Sequence, residues 1–285
     1  MVTFIWVVLI VLAIGIGIVL VRDVFGHRAQ WEQNSWGKTG FIGFIGNFFD
    51  TLGIGSFATE TALFKFMKQS EDRLIPGTLN VGNAIPTVTQ AIIFIRIVEV
   101  DPLTLVLMVA ASGVGAVLGA GIVARFPEKT IRMTMGIALF ITAGFMLATK
   151  LQWIPGGGEA IGLTGQTLVL AVIVNFILGA LMTAGIGLYA PCMALVFALG
   201  MSPKVAFPIM MGSCAFLMPM ASLKFIKEGF YNRRASLAMA VAGVVGVLLA
   251  AFVVKSLPMD VLRWVVIGVV IYTATVMLRA ALKKS

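Results

Sequence analysis

Charge is scarce in this chain. Asp, Glu, Lys and Arg make up 12% of its 285 residues, about half the share found in soluble domains, so a surface facing water on all sides cannot be assembled from it. Histidine is nearly absent: His27 stands alone, in a polar joint. The two cysteines, Cys192 and Cys214, lie inside apolar stretches, where a thiol packs as a small hydrophobe. No Cys/His cluster has zinc-like spacing, which excludes metal-centred chemistry and leaves no cofactor to expect. The formal charge of +9 does not indicate a nucleic-acid surface. Lys and Arg sit in small clusters at the ends of apolar blocks, where they act as topology signals.

What remains is 60% hydrophobic, with a mean hydropathy of +1.04. An apolar run at 3–21 is long enough to cross the hydrocarbon layer. Its charges, Arg22, His27 and Arg28, follow it rather than precede it, so a retained helix with an outer N-terminus is expected rather than a cleaved signal peptide. A Gly-punctuated segment follows at 39–67, then spans at 74–97, 103–124 and 133–149. The joint WIPGGGEAIG at 153–162 has linker composition, and further spans run at 166–184, 187–200, 205–226, 235–254 and 261–278.

The two halves resemble each other. At a shift of 132 residues, Phe44-Ile45 meets Phe176-Ile177, Thr51 meets Thr183, and Gly53-Ile54-Gly55 meets Gly185-Ile186-Gly187. Ala58, Ala62, Leu63 and Pro76 meet Ala190, Ala194, Leu195 and Pro208, and at a shift of 131 Pro127, Arg132 and Met146-Leu147 meet Pro258, Arg263 and Met277-Leu278. Basic residues decide the relative orientation. If each Gly-rich segment is a hairpin that returns to its side of entry, 16 of the 21 Lys and Arg share one face; if each crosses once, 12 do. The hairpin arrangement gives an odd number of crossings per half, and the second half is then inverted.

The expected architecture is therefore all-α and polytopic. A first helix and joint (1–37) precede a repeat at 38–150, a Gly/Pro linker at 151–165 and an inverted repeat at 166–285. Each repeat contributes a re-entrant Gly-broken hairpin and three transmembrane helices, for seven crossings in all. Such repeats place a transport site at their interface, near the midplane.

Three groups of residues could carry that site. The breaks at Gly53, Gly55 and Ser56 and at Gly185, Gly187 and Leu188 would leave backbone N–H groups at the start of a half-helix, which favours an anion; Thr59 and Tyr189 stand beside them. The alternative is that these glycines only permit close helix packing. Asn80, Asn83, Thr87 and Gln90 lie along one helical face, with Ser213 in the corresponding second-half stretch; such a face lines a cavity or bonds to neighbouring helices. Asp50 and Glu60 are intramembrane carboxylates, a costly placement that suits proton coupling, although Glu60 could instead pair with Lys65. A serine hydrolase built on Ser56 would need a base, with only His27 or Lys65 to hand, so an enzyme is not expected.

The segments GFIGNFFDTLGIGSFATE (43–60) and GALMTAGIGLYAP (179–191) resemble those of the TauE/SafE-type sulfite exporters, also called toluene-sulfonate uptake permeases. These share the chain's size, the duplicated Gly-rich opening segment and the general form G-x-G-G-G followed by Pro. The resemblance covers about 38–280 and leaves 1–37 outside the usual pattern. Ser56 and Leu188 interrupt the glycine run, and Thr59 stands where the first half would carry the proline that Pro191 supplies in the second. The resemblance implies an anion permease of a bacterial inner membrane that moves sulfite, sulfonates or related small organosulfur anions outward, with lipid and a second copy of the chain as further partners. A passive anion channel is the alternative. The basic residues place the C-terminus in the cytoplasm.

Overall fold

In a computed structural model, which describes residues 2–153, 158–185, 187–252 and 259–282, the chain folds into helices. They are α1 (Val2–Gly26), α2 (Trp36–Thr51), α3 (Ser56–Met67), α4 (Ile75–Ile97), α5 (Pro102–Val123), α6 (Glu128–Lys150), α7 (Gly165–Met182), α8 (Tyr189–Ala198), α9 (Pro203–Lys227), α10 (Arg233–Phe252) and α11 (Met259–Leu282). Among the described residues, seven are long and apolar enough to cross a membrane: α1, α4, α5, α6, α7, α9 and α10. The polytopic all-α class expected from composition is therefore what forms, although the sequence pattern had placed α11 rather than α7 among the seven. Large apolar side chains such as Val11, Ile14, Val114, Ile122, Val169 and Val241 are exposed, as a bilayer-facing surface requires. The first helix buries only a stripe, Leu9, Ile16, Leu20 and Val24, spaced by turns of the helix, and lays it on α4, α9 and α10.

Hydrogen bonds between the joints show which helix ends share a face. On one face, the Ser35 N–H donates to Gln69 Oε1 (2.9 Å), Asn34 Nδ2 to Asn232 Oδ1 (2.8 Å), and Arg233 Nε to Asp23 Oδ2 (2.7 Å). Asp72 joins the same cluster, accepting from Lys65 Nζ (2.5 Å) and Arg132 Nε (2.7 Å). The start of α2 thus lies beside the end of α3. On the other face, the Asp101 N–H donates to the Ile161 carbonyl and the Ser202 N–H to the Ala160 carbonyl (both 2.8 Å), and Leu163 N–H donates to Thr104 Oγ1 (2.9 Å). The start of α7 therefore lies near the end of α8. Both α2–α3 and α7–α8 return to the side they entered from, and they open at opposite ends of the bundle.

The contacts between halves come in exchanged pairs. Helix α2 packs on α10 and α7 on α5; α4 packs on α10 and α9 on α5; α3 meets α11 and α8 meets α6, while α4 meets α9 and α6 meets α11. Individual residues repeat the exchange. Gly115 of α5 lies against the Phe176 carbonyl and Gly246 of α10 against the Phe44 carbonyl, and the shifts of 131 and 132 relate these residues pairwise. Asn175 donates to the Met108 carbonyl (2.7 Å), and Gly43 abuts Met239 in the related place. Here small residues let helix backbones touch, so the close-packing role holds for these glycines. A second division cuts across the halves: among the described residues, α6 and α11 pack on each other and reach the rest chiefly through α3, α8 and the turn Asp72–Leu74.

A Cβ branch at Gly115 or Gly246 would strike a carbonyl. Gly115→Val and Gly246→Val should each cost about 1–3 kcal/mol by overpacking, read as a lowered unfolding midpoint in detergent, whereas Gly121→Ala, with open space around it, should stay within about 0.5 kcal/mol. Asp101 caps α5, accepting from the Thr104 N–H (2.8 Å) and hydroxyl (2.7 Å), and these bonds hold its carboxyl below the ordinary value. A lowered folded value means stabilisation that is present above the unfolded value near 3.8 and lost as pH falls through the folded one. Asp101→Ala should therefore cost about 1 kcal/mol at neutral pH, and the gap from wild type should close in acid unfolding scans below pH ~3.8.

Candidate functional site

Helix α2 cannot run on into α3 because Gly53 and Gly55 adopt φ of +81° and +92°, a region other residues avoid. The turn pairs its own backbone: Gly53 N–H donates to the Asp50 carbonyl (2.9 Å) and Ile54 N–H to the Phe49 carbonyl (3.0 Å). The second break has the same device, with Gly185 at φ +97° and its N–H on the Met182 carbonyl (3.0 Å). Ile186 lies outside the described residues.

The two breaks meet. Gly187 sits against Phe57 at the start of α3, and a cavity of about 20 Å³ is lined by Asp50, Gly55 and Ser56 on one side and by Met182, Leu188 and Tyr189 on the other. Thr142 of α6 and Met218 of α9 complete the wall. The volume suits a single water-sized group.

The two helix starts differ chemically. At α3 the Ser56 N–H, expected to be open to a solute, already donates to Asp50 Oδ1 (2.6 Å). The side chain thus caps the helix N-terminus. Its second oxygen, Oδ2, is buried without a hydrogen-bond partner among the described residues. At α8 the cap position is Leu188 and no side chain caps it; the residue 132 positions beyond Asp50 is Met182.

Glu60 lies one turn further along α3, fully buried. Asn83 Nδ2 donates to its Oε2 (2.5 Å), Asn47 Nδ2 approaches its Oε1 (3.4 Å), and Asn47 also donates to Asn83 Oδ1 (2.6 Å). Gly46 leaves the space that the carboxyl fills, since a Cβ there would overlap it. Lys65, the cation considered for Glu60, is on Asp72 instead: the side chain points to the polar face of the bundle, away from the buried carboxylate. The amide network runs on toward the cavity. Gln90 Nε2 donates to Thr51 Oγ1 (3.1 Å), Thr51 Oγ1 to the Asn47 carbonyl (2.8 Å), and the Tyr189 hydroxyl to Gln90 Oε1 (2.8 Å). A continuous polar chain therefore links Glu60 to a wall of the cavity.

The remaining expected residues divide. Asn83 and Gln90 join this network, whereas Asn80 bonds back to the Pro76 carbonyl (2.9 Å) and Thr87 approaches Met218 Sδ (3.3 Å). Ser213 accepts from Asn175 Nδ2 (2.9 Å), between α7 and α9, and Thr59 approaches the Gly55 carbonyl (3.5 Å). Neither Asn80, Ser213 nor Thr59 lines the cavity. Of the bases considered for Ser56, His27 is exposed and bonded to the Asp23 carbonyl, and Lys65 is paired as described. Sequence reasoning passed over Asn47, Thr51 and Asn175; an amide inside an apolar run was the available signal for Asn47 and Asn175.

The family model for the sulfite exporter TauE/SafE matches residues 2–146 and 167–285, and the chain belongs to that family. The match begins at residue 2, so α1, expected to lie outside the family pattern, falls within it. No curated protein and no solved structure matches the chain.

Asn83→Leu should cost about 1.5–3 kcal/mol, because it strips a donor from a buried carboxylate, and Gly46→Ala about 1–3 kcal/mol by displacing it. In a Glu60→Gln background the Asn83→Leu loss should shrink, since the two changes act on one bond. Unfolding midpoints in detergent for the four combinations of Asn83→Leu and Glu60→Gln would show additive losses if the pair were not coupled.

Proposed function

We propose that this member of the sulfite exporter family moves sulfite or a small organosulfonate outward across a bacterial inner membrane, by alternating access at the cavity between α3 and α8. One observation carries the proposal: two helix breaks, opening from opposite ends of the bundle, line a single cavity. Non-helical backbone at membrane depth is tolerated where it is buried or faces a polar cavity, and helix starts suit an anion. The exchanged contact pairs favour an inverted repeat, whose two arrangements would expose the cavity to either side in turn. The cavity also lies where Thr142 of α6 faces Met182 and Met218, at the seam between the α6–α11 pair and the other helices. Movement there would change access without dismantling the scaffold. The first face, with its basic joints, would be cytoplasmic, which places the N-terminus outside and the C-terminus inside.

In this mechanism Tyr189 and the N-terminal end of α8 hold the anion, and Glu60 carries a coupled proton, while the Asn83 and Asn47 amides hold its carboxyl in place. A passive channel or uniporter is the second reading, favoured by how completely amides surround Glu60: there the carboxylate only holds α2, α3 and α4 together. Proteoliposomes supplied with external labelled sulfite, with and without a pH gradient, separate the two. Coupling predicts gradient-driven accumulation in wild type and its loss in Glu60→Gln with downhill flux retained. Flux that ignores the gradient in wild type would leave the channel.

A further inference from the structure

Two helix starts flank the cavity; α8 presents one N–H fewer than α3, because Pro191 has none, yet among the described residues only the α3 start is met by a side chain. We propose that Asp50 is a tethered anion that occupies the α3 half of the site and competes with the transported anion, which takes the α8 half. The inference rests on the anion site proposed above.

Three observations carry it. The Asp50 Oδ1–Ser56 N–H bond of 2.6 Å puts a carboxylate oxygen where a bound oxyanion would stand at the start of α3. Oδ2 of the same carboxyl is buried and unpartnered among the described residues, and Asp50 lines the cavity together with Leu188 and Tyr189 of α8. The position related to Asp50 in the second half is Met182, which lines the same cavity from the other side, so no carboxylate stands at the related position beside the α8 start. The groups around Asp50 are the Tyr189 hydroxyl, the Gln90 amide, the Cys214 thiol and, further along α3, Glu60. None of these is a cation. The cavity, at about 20 Å³, has no room for a solute anion beside the Asp50 carboxyl, and two like charges brought together there repel strongly, so the solute anion and the Asp50 carboxylate exclude each other. The resident carboxylate keeps the α3 start satisfied when no solute is bound, and it weakens solute binding enough to permit release.

Purified wild type, Asp50→Asn and Asp50→Ala can be compared by thermal stabilisation in detergent against sodium sulfite and, separately, sodium formate. The carboxamide of Asp50→Asn keeps an acceptor for the Ser56 N–H and removes the charge; Asp50→Ala empties the position. Half-saturation by sulfite is expected on the order of tenfold lower in both variants. Formate, which carries the chemistry of the missing side chain, is expected to stabilise Asp50→Ala and not wild type. Sulfite and formate acting on the variants no more strongly than on wild type would overturn the proposal. If sulfite acts on none of the three while formate still stabilises Asp50→Ala alone, the tethered anion stands and the sulfite assignment falls. Should Asp50→Ala fail to fold, the Asp50→Asn titrations decide, and unchanged half-saturation there overturns the proposal.

Discussion

Backbone that leaves the helix inside a membrane must find partners for its N–H and C=O groups, because lipid supplies none. This protein meets the demand twice, at Leu52–Gly55 and after Met182, and the surrounding packing follows from those two places. The turn carbonyls and amides satisfy one another, Asp50 takes the Ser56 N–H, and α4 and α9 enclose both breaks. Those central helices carry prolines at 86, 208 and 219, each of which removes a helix hydrogen bond of its own, so the middle of the bundle holds more irregular backbone than its rim.

Burying Glu60 beside a break adds a second requirement. With no cation against it among the described residues, two amides hold it, and each is placed by a different helix: Asn47 by α2 and Asn83 by α4. Gly46 completes the arrangement by being small. Three residues on two helices are thus tuned to one carboxyl, which ties the hairpin to the central helix.

Much of this was legible beforehand. Composition and span length were sufficient to set out an all-helical polytopic chain, and the Gly-Ile-Gly segments marked where its helices break. The amides of α4 were visible as polar residues in an apolar span, but their partners were not: Asn83 turned to Glu60 while Asn80 folded back on its own helix. Sequence spacing gives a shared face, and only the packed neighbours determine what that face meets. The alternative of pairing Glu60 with Lys65 fails for the same reason. Lys65 sits near Glu60 in the chain, yet Asp72 lies closer to the polar rim, where a cation keeps its hydration. The cap formed by Asp50 could not be foreseen, because it depends on the path of the turn between Asp50 and Ser56.

The division between α6–α11 and the remaining helices has a mechanical meaning. Interdigitated interfaces such as α2 on α10 and α5 on α7, locked by glycines against carbonyls, resist sliding, since any shift drives a backbone into a backbone. The α6–α11 pair meets its surroundings through the ends of short helices and through the charged link of Asp72 with Lys65 and Arg132, contacts that can be re-made after a small displacement. Stiffness is therefore unevenly distributed, and the compliant boundary passes through the cavity wall at Thr142. A force generated there by an arriving or departing charge would be taken up by the pair that yields and carried unchanged by the frame that does not.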